Sequence, residues 1–385
     1  MSDVQYAEAV EAELGARAEA ERLHQIKTPH TYKFEQLVAR TERRNFKLGV
    51  WNGILYNLAM YFMARSTIIP MFLSRLTTSS ALIGIVSQFD SIGWYLPQIF
   101  FATFVVHRPQ KMPLYRMSMT IGMVAYFVIA LVTLINPSPA LLLTFFVISY
   151  GIYHFSGGMR GVVFMELLAK AIPSRRRARF LGWRMSIGAV AAATVGAGTI
   201  TALLTSAPFP TNFGYVFLVG ACIATVSFLL MASMREPRTP NVPPKRTLRQ
   251  QMQIARKVLK EDARFRTYVS SRLLINCWTI GLPFMILFGR DELGFTTADT
   301  GIFIAAECAG LIVANLVCER IELRQGPKRV LLVSCVIAMM MPLFLLSFKF
   351  FDLPIYLFAI AFSLTAAFDA AVTVGGMGYL IEMTG

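Results

Sequence analysis

The sequence predicts an all-α membrane protein, a polytopic helical bundle, from its hydropathy, the length of its apolar runs and the placement of its charges. The chain of 385 residues is 55% hydrophobic and 15% charged, with a mean hydropathy of +0.55, which is too apolar for a soluble protein of this length. The apolar residues form runs of about 20 or more, long enough to cross a hydrocarbon core of roughly 30 Å as helix. The net charge of +15 comes from basic residues between these runs, a pattern typical of membrane topology and not of nucleic-acid binding.

Ten membrane-spanning helices are predicted from the apolar runs. They cover residues 48–73, 81–106, 113–135, 139–168, 181–205, 212–232, 267–289, 299–319, 328–349 and 354–380. Because several are longer than the hydrocarbon core requires, we expect those helices to be tilted or to protrude from the bilayer.

Basic and uncharged loops alternate along the chain. The basic loops contain Arg108, Lys111, Arg175, Arg177, Arg179, Arg320, Lys328 and Arg329. The loops at 136–139 and 206–210 carry no charge. Positively charged loops stay on the cytoplasmic side, so we expect a cytoplasmic N-terminus and a location in the cell (plasma or inner) membrane. Residues 1–45 would then form a cytoplasmic arm, either helical over 4–25 or a solvated tail.

The longest internal loop, 233–266, divides the spans into six and four. It separates an N-terminal half (46–232) from a C-terminal half (267–385) and begins with a stiff, proline-rich stretch. An amphipathic helix is predicted after that stretch. Its apolar face carries Leu248, Met252, Ala255 and Leu259, with basic residues elsewhere. Such a helix would lie along the inner surface of the membrane.

The two halves repeat each other at an offset near 217 residues. Phe46-Lys47 corresponds to Phe265-Arg266, Thr77-Thr78 to Thr296-Thr297, and Gly157-Gly158-Met159 to Gly375-Gly376-Met377. Two repeated halves joined by a long cytoplasmic loop resemble the major facilitator superfamily (MFS), in which each half contains six helices.

A charged loop after the second and eighth spans strengthens the resemblance. Members of the superfamily carry a sequence similar to G-x-L-A-D-R-x-G-x-K there. The later copy is represented by Asn315, Glu319, Arg320, Gly326, Lys328 and Arg329. The earlier copy is reduced to residues 107–111, with Arg108 and Lys111 but no acid. The resemblance implies that this loop latches the halves by pairing its charges with a neighbouring helix end.

Two further features bear on the type of transporter. Residues 172–182 resemble the Pro-x-x-x-Arg-Gly-Arg stretch that is common after the fourth span. The fifth span lacks the Gly-Pro pair of the drug antiporters, which disfavours drug/proton exchange. The superfamily has twelve spans, and the end of the fourth span maps by the repeat to about residue 386. We therefore expect the last two helices to be missing from this chain, with a natural ten-span protein as the alternative.

Several ionisable side chains lie deep in predicted spans, where a charge costs about 2.5–3.5 kcal/mol and usually faces a cavity or a partner. Arg65 and Asp90 lie at similar depth in consecutive antiparallel helices, so they could form an ion pair. Glu307 stands 217 positions after Asp90, at the equivalent point of the other half. These residues predict either a proton or cation site or a purely structural ion pair.

The resemblance also implies which polar residues line the cavity, because family members form it from spans one, four, seven and ten. The candidates for substrate contact in these spans are Asn52, Asn57, His154, Asn276, Trp278 and Asp369. Hydrogen bonds between helices are the alternative explanation for the asparagines. Arg160 and Glu166 are candidates for structural pairing with span-five residues such as Arg184.

The sequence contains no motif of an enzyme or a pump. It has neither GxxxxGK[ST] nor HExxH, and its five cysteines form no CxxC pair, so we expect no cofactor, no metal and no catalytic residue. The favoured function is a secondary active transporter, with the bilayer and an unknown small molecule as partners and a proton or cation as the coupling ion. A monomer that does not bind nucleic acid is expected. A non-transporting receptor or scaffold, and less favourably a membrane-embedded enzyme, are the alternatives.

Overall fold

Helices account for nearly all the residues that the structure describes, which in this computed structural model are 29–238, 247–351 and 353–384. Within these ranges no β-strand occurs. The all-α prediction is therefore confirmed. The helix expected over 4–25 and most of the proline-rich stretch lie outside the described residues.

The N-terminal half consists of nine helices in the described residues. They are α1 (Pro29–Tyr61), α2 (Ile68–Leu73), α3 (Ser80–Ser87), α4 (Phe89–Val106), α5 (Met112–Ile135), α6 (Pro139–Ala171), α7 (Ser174–Ala191), α8 (Ala197–Ser206) and α9 (Thr211–Ala232). A π-helical turn at Ala192–Gly196 joins α7 to α8, so the two form one spanning unit.

The rest of the described chain contains six helices. They are α10 (Leu248–Glu261), α11 (Ala263–Cys277), α12 (Leu282–Leu293), α13 (Thr300–Gln325), α14 (Pro327–Phe350) and α15 (Ile355–Thr384). A 3₁₀ turn at Trp278–Gly281 joins α11 to α12. The expected amphipathic helix is α10, and it begins with a capping box in which Thr247 and Gln250 bond each other's backbone N–H groups.

Eight helical segments in the described residues are long and apolar enough to cross a membrane, and they match eight of the ten predicted spans. The other two predictions, 48–73 and 81–106, were wrong in assuming continuous helices. Between α1 and α2 the helix is broken over residues 62–67, whereas α3 and α4 are separated by Gln88 alone. Pro70 explains the larger break, because its ring would clash with the carbonyl of Ser66 and it has no N–H to donate.

Helix α1 also extends across the predicted border at residue 45. Asn45 and Arg235 exchange hydrogen bonds of 2.9 and 3.0 Å, and Arg176 lies 3.1 Å from Glu42 in an ion pair. The first spanning helix therefore continues into an N-terminal extension that contacts the start of α7 and the segment after α9. The predicted borders between the segments remain predictions.

The repeat is visible in how the helices pack. Helix α4 packs closely on α6, and α13 packs in the same way on α15. Both contacts are made at glycines 217 positions apart, Gly93 and Gly310. A Cβ added to Gly93 would lie 2.6 Å from the carbonyl carbon of His154, and one added to Gly310 would lie 2.5 Å from the Cα of Ser363. Only a glycine allows the backbones to approach this closely.

Contacts between the halves occur in the middle of the bundle and at the end that carries the loops 136–138 and 206–210, called here the uncharged-loop end. Near that end, Arg290 donates to the hydroxyl of Ser74, and Thr300 Oγ1 lies 3.5 Å from the sulfur of Met71. In the middle, Gln88 donates to the carbonyl of Thr279 over 2.8 Å. These contacts hold the halves together around the level of the break in the first span.

Candidate functional site

Arg65 lies in the break between α1 and α2 and links the two halves. Its Nη1 atom lies 3.5 Å from Asp90 Oδ2 and donates to Ser91 Oγ over 2.9 Å, both on α4. Its Nη2 atom donates to Asp369 Oδ2 on α15 over 3.0 Å. One planar guanidinium thus bridges a carboxylate of each half, a geometry that suits arginine better than lysine.

Asp90 has a second partner within the N-terminal half. Its Oδ1 atom lies 3.1 Å from Nδ1 of His154 on α6, and the imidazole is buried at 6% exposure. The rings of Tyr150 and Tyr153 surround it, with centroids 4.4 and 5.0 Å away. When Asp90 is ionised, Nδ1 carries the proton of this hydrogen bond, because an ionised carboxylate only accepts. The other ring nitrogen, Nε2, is buried without a hydrogen-bond partner in the described chain.

Glu307 forms the second charged contact between the halves. The hydroxyl of Ser66, next to Arg65, donates to Glu307 Oε2 on α13 over 2.8 Å. Two residues in the break of the first span, Arg65 and Ser66, therefore contact all three carboxylates. Arg65 contacts Asp90 and Asp369, and Ser66 contacts Glu307, the repeat equivalent of Asp90. We call Arg65, Ser66, Asp90, His154, Glu307 and Asp369 the interface cluster. The cluster thus contains three carboxyl groups, one guanidinium and one imidazole.

The other cavity candidates divide into two groups. Trp278 packs against Phe368 with ring centroids 4.3 Å apart and the rings tilted by 35°, so it contacts the helix that carries Asp369. Asn276 donates to the carbonyl of Arg272 within its own helix over 2.7 Å. Asn52 and Asn57 lie away from the interface cluster, in the interior of the N-terminal half. Their partners are on other helices and on α1 itself, which matches the alternative of structural hydrogen bonding.

Asn52 belongs to a buried network that joins three helices. Its amide donates to the carbonyl and hydroxyl of Ser227 on α9, both over 2.9 Å, and its carbonyl accepts from Arg184 on α7 over 2.9 Å. Asn57 donates to the carbonyls of Gly53 and Arg184 over 2.9 and 3.3 Å. These bonds fix α1 against α7 and α9.

The proposed pairing of Arg160 and Glu166 with Arg184 was wrong. Arg160 donates to the carbonyl of Ser118 over 3.1 Å and lies 4.4 Å above the ring of Phe228. Arg184 lies 4.5 Å above the ring of Phe164. Both guanidinium groups are buried on carbonyls and aromatic faces, which stabilise a cation without a carboxylate.

The acid that is absent from residues 107–111 is supplied by another loop. Glu236, after α9, accepts from the backbone N–H groups of Lys111 and Met112 over 2.7 to 2.8 Å. It also lies 2.9 Å from Nζ of Lys170. A carboxylate at the N-terminus of α5 is favoured by the helix dipole. Sequence reasoning missed Glu236, although an acid in a basic loop was the available signal.

Lys111 closes the end of the preceding helix. Its Nζ atom donates to the carbonyls of Val105 and Val106 over 2.5 and 3.1 Å, and it lies 3.9 Å from Glu166. Burial, followed by the charge of Lys170, lowers the pKa of Lys111. The earlier signature loop is therefore held by Glu236, which belongs to the loop that follows the N-terminal half.

The other loop candidates are on the surface or cap helices. Arg177 donates to the carbonyls of Ile172 and Ala169 at the end of α6, over 3.0 and 2.6 Å. Arg179 lies 4.5 Å above the ring of Trp183. Exposed side chains are found at Arg108, Arg175, Glu319, Arg320, Lys328 and Arg329. Gly326 has a φ of 79°, a conformation that favours glycine between α13 and α14.

The described residues contain no group of three or more His, Cys, Asp or Glu placed to hold a metal ion. The interface cluster is a set of ion pairs and hydrogen bonds between helices, and it lies across the boundary between the two halves.

Comparisons with known proteins agree with the fold described above. Residues 50–384 match the Major Facilitator Superfamily. Similar solved structures include a D-xylose-proton symporter (12% identity, 88% of each chain covered, TM-score 0.54). They also include the nucleoside transporter NupG (15% identity, 87% of this chain and 82% of that chain, TM-score 0.60) and the xylose transporter XylE from E. coli (13% identity, 89% and 84%, TM-score 0.58).

No curated protein sequence matches the chain. At these identities the structural neighbours establish the fold, while the family match covers most of the sequence. The protein is an integral membrane transporter and not an enzyme. The chain belongs to the Major Facilitator Superfamily.

Proposed function

We propose that the protein is a secondary active transporter that moves a small solute across the cell membrane by alternating access, with its N-terminus in the cytoplasm. The carrying observation is the bridge from Arg65 to Asp90 in one half and to Asp369 in the other. Rocking of the halves around a central site requires contacts at this boundary to break and reform. An ion network that crosses the boundary can link that motion to the binding of a charge.

The coupling ion in this proposal is a proton or another cation, and Asp90 and Glu307 are its candidate acceptors. Asp90 pairs with His154 and Arg65, and Glu307 accepts from Ser66, the neighbour of Arg65 in the chain. Protonation of Asp90 or Glu307 would remove a negative charge, and with it an electrostatic attraction at the boundary between the two halves. The free energy of the closed arrangement would then depend on occupancy by the ion, as coupling requires.

The substrate cavity in this proposal lies next to the cluster, where Trp278 and Asp369 would contact the solute. Among the structural neighbours are transporters named for xylose and for nucleosides. Small polar solutes of these two classes are therefore the first to test. A monomer is sufficient for this mechanism, because both halves of the cluster belong to one chain.

The test uses protein reconstituted in liposomes, after a thermal-shift screen of sugars and nucleosides has found a solute that stabilises it. We expect uptake against a gradient when a proton or sodium gradient is imposed. Asp90→Asn or Glu307→Gln should abolish accumulation and leave exchange of solute intact. Glu292→Gln, at an exposed carboxylate outside the interface cluster and the signature loops, is the matched control and should behave as the parent.

Two outcomes contradict the proposal at different levels. Wild-type accumulation in both neutral variants would exclude the two carboxylates from coupling. A solute that stabilises the protein but is neither taken up nor exchanged would indicate a non-transporting receptor.

A further inference from the structure

Helix α10 exposes an apolar stripe that no described part of the chain covers. Leu248 and Met252 are 40% and 49% exposed, Ala255 is exposed, and Leu259 is partly buried. These residues recur at spacings of three and four, so they form one face of the helix. Helix α10 has no buried residue. A short helix with such a face needs a second surface, because exposed apolar area of this kind is unfavourable in water.

A basic row runs beside the apolar stripe. Arg249, Arg256 and Lys260 are spaced by seven and four residues, so they line one flank of the helix, and all three are exposed. The acidic residue Glu261 lies 3.9 Å from Lys257, which offsets its charge. The surface that complements α10 therefore has an apolar layer bordered by negative charge.

The position of α10 places this face at the edge of the bilayer. Its last residue is separated by Asp262 alone from α11, the start of a membrane-spanning segment at 263–293. Asp262 caps α11 by accepting from the N–H of Phe265 over 2.9 Å. Arg266 donates to the carbonyls of Leu259 and Lys260 over 3.3 and 3.2 Å, which holds the two helix ends together. The α10 face is thus tethered at the depth where acyl chains give way to headgroups.

We propose that α10 is a lipid-recognition element that binds anionic phospholipid headgroups on the cytoplasmic leaflet. The apolar stripe inserts below the headgroups, and Arg249, Arg256 and Lys260 contact their phosphates. Basic side chains next to an anionic leaflet are attracted to it, and apolar residues at the interface add to the binding. The inference rests on the position and chemistry of α10 and holds whether or not the interface cluster couples an ion to transport.

The test measures the depth of α10 by tryptophan quenching with dibrominated phosphatidylcholine. Met252→Trp places the probe on the apolar stripe, and Gln253→Trp, on the polar side of the same helix and outside its capping box, is the matched control. The full chain is reconstituted in phosphatidylcholine, with or without phosphatidylglycerol, and the signal of the four native tryptophans is subtracted with the parent protein. We expect about two-fold more quenching at position 252 than at 253 in the anionic membrane.

The charge requirement is tested with the combined variant Arg249→Gln, Arg256→Gln and Lys260→Gln, since glutamine preserves helix propensity. In this variant, and in pure phosphatidylcholine, the difference in quenching between positions 252 and 253 should fall. Equal quenching at both positions in both membranes would overturn the proposal. Preferential quenching at 252 that is unaffected by phosphatidylglycerol and by the charge variant would overturn recognition of anionic headgroups.

Discussion

Arg65 is the residue at which the N-terminal and C-terminal halves share a charge. Its guanidinium is closer to Asp369 than to Asp90, 3.0 against 3.5 Å, and of these two contacts the one with Asp369 is a hydrogen bond that joins the halves. Asp90 keeps His154 as a partner when Arg65 is removed. We therefore expect Arg65 to be coupled more strongly to Asp369 than to Asp90 in the free energy of unfolding.

Double-mutant cycles on unfolding free energy in detergent test this order. We expect a coupling energy of about 1–3 kcal/mol between Arg65→Ala and Asp369→Ala, and a smaller one between Arg65→Ala and Asp90→Ala, because adjacent charges couple and the cluster is partly solvated. The cycle of Arg65→Ala with Glu166→Ala is the control, since Glu166 is beside Lys111. Strict additivity of Arg65→Ala and Asp369→Ala would mean that the bridge has no energetic role.

At the scale of elements, close packing at glycines determines how neighbouring helices are arranged. Helices α4 and α6 meet where Gly158 faces the carbonyl oxygens of Gly93 and Trp94, and an added Cβ would lie 2.6 Å from the oxygen of Trp94. These oxygens belong to the backbone of α4 and cannot rotate away. The helix that carries His154 is thereby held against the helix that carries Asp90.

Gly158→Ala should therefore destabilise the protein by about 1–3 kcal/mol, because an extra methyl group forces the two backbones apart. The readout is the thermal transition in detergent together with the folded yield. Gly198→Ala is the matched control, since nothing lies within 4 Å of the Cβ that it would add. If the two variants had equal stability, α4 and α6 would have to be less tightly packed than the structure indicates.

In the whole molecule, the two halves are in contact at the uncharged-loop end. There, a Cβ added to Gly301 on α13 would lie 3.4 Å from the Cβ of Thr201 on α8. That separation is close to the range of disulfide-bonded cysteines. If transport requires this end to open, a covalent link between the two positions should stop the cycle.

The corresponding experiment combines Thr201→Cys with Gly301→Cys in a background that lacks the five native cysteines. Oxidation should reduce solute exchange at least about ten-fold, and reduction should restore it, because the disulfide keeps α8 on α13. The single-cysteine variants are the controls and should be insensitive to oxidant. Parent-level exchange by a chain shown by mass spectrometry to contain the disulfide would contradict opening at this end.

Much of the fold was predictable because a bilayer imposes simple rules. An apolar run must be helical and about as long as the membrane is thick, so hydropathy located most of the spans. The capping box before α10 and its apolar spacing are local signals, and the structure has that helix. Pro70 was also a local signal for the break after α1, but a hydropathy window does not detect it because the surrounding residues are apolar.

Tertiary structure alone decided which side chains meet. Matched depth placed Arg65 near Asp90, but the contact with Asp369 joins residues 304 positions apart and depends on how α15 is rotated about its axis. The same holds for Ser66 with Glu307 and for Glu236 with Lys111. Periodicity gives the depth of a residue in the membrane and the face of a helix that is apolar. It does not give the rotation of one helix against another, since that follows from packing of small residues and from the partners available to buried polar groups.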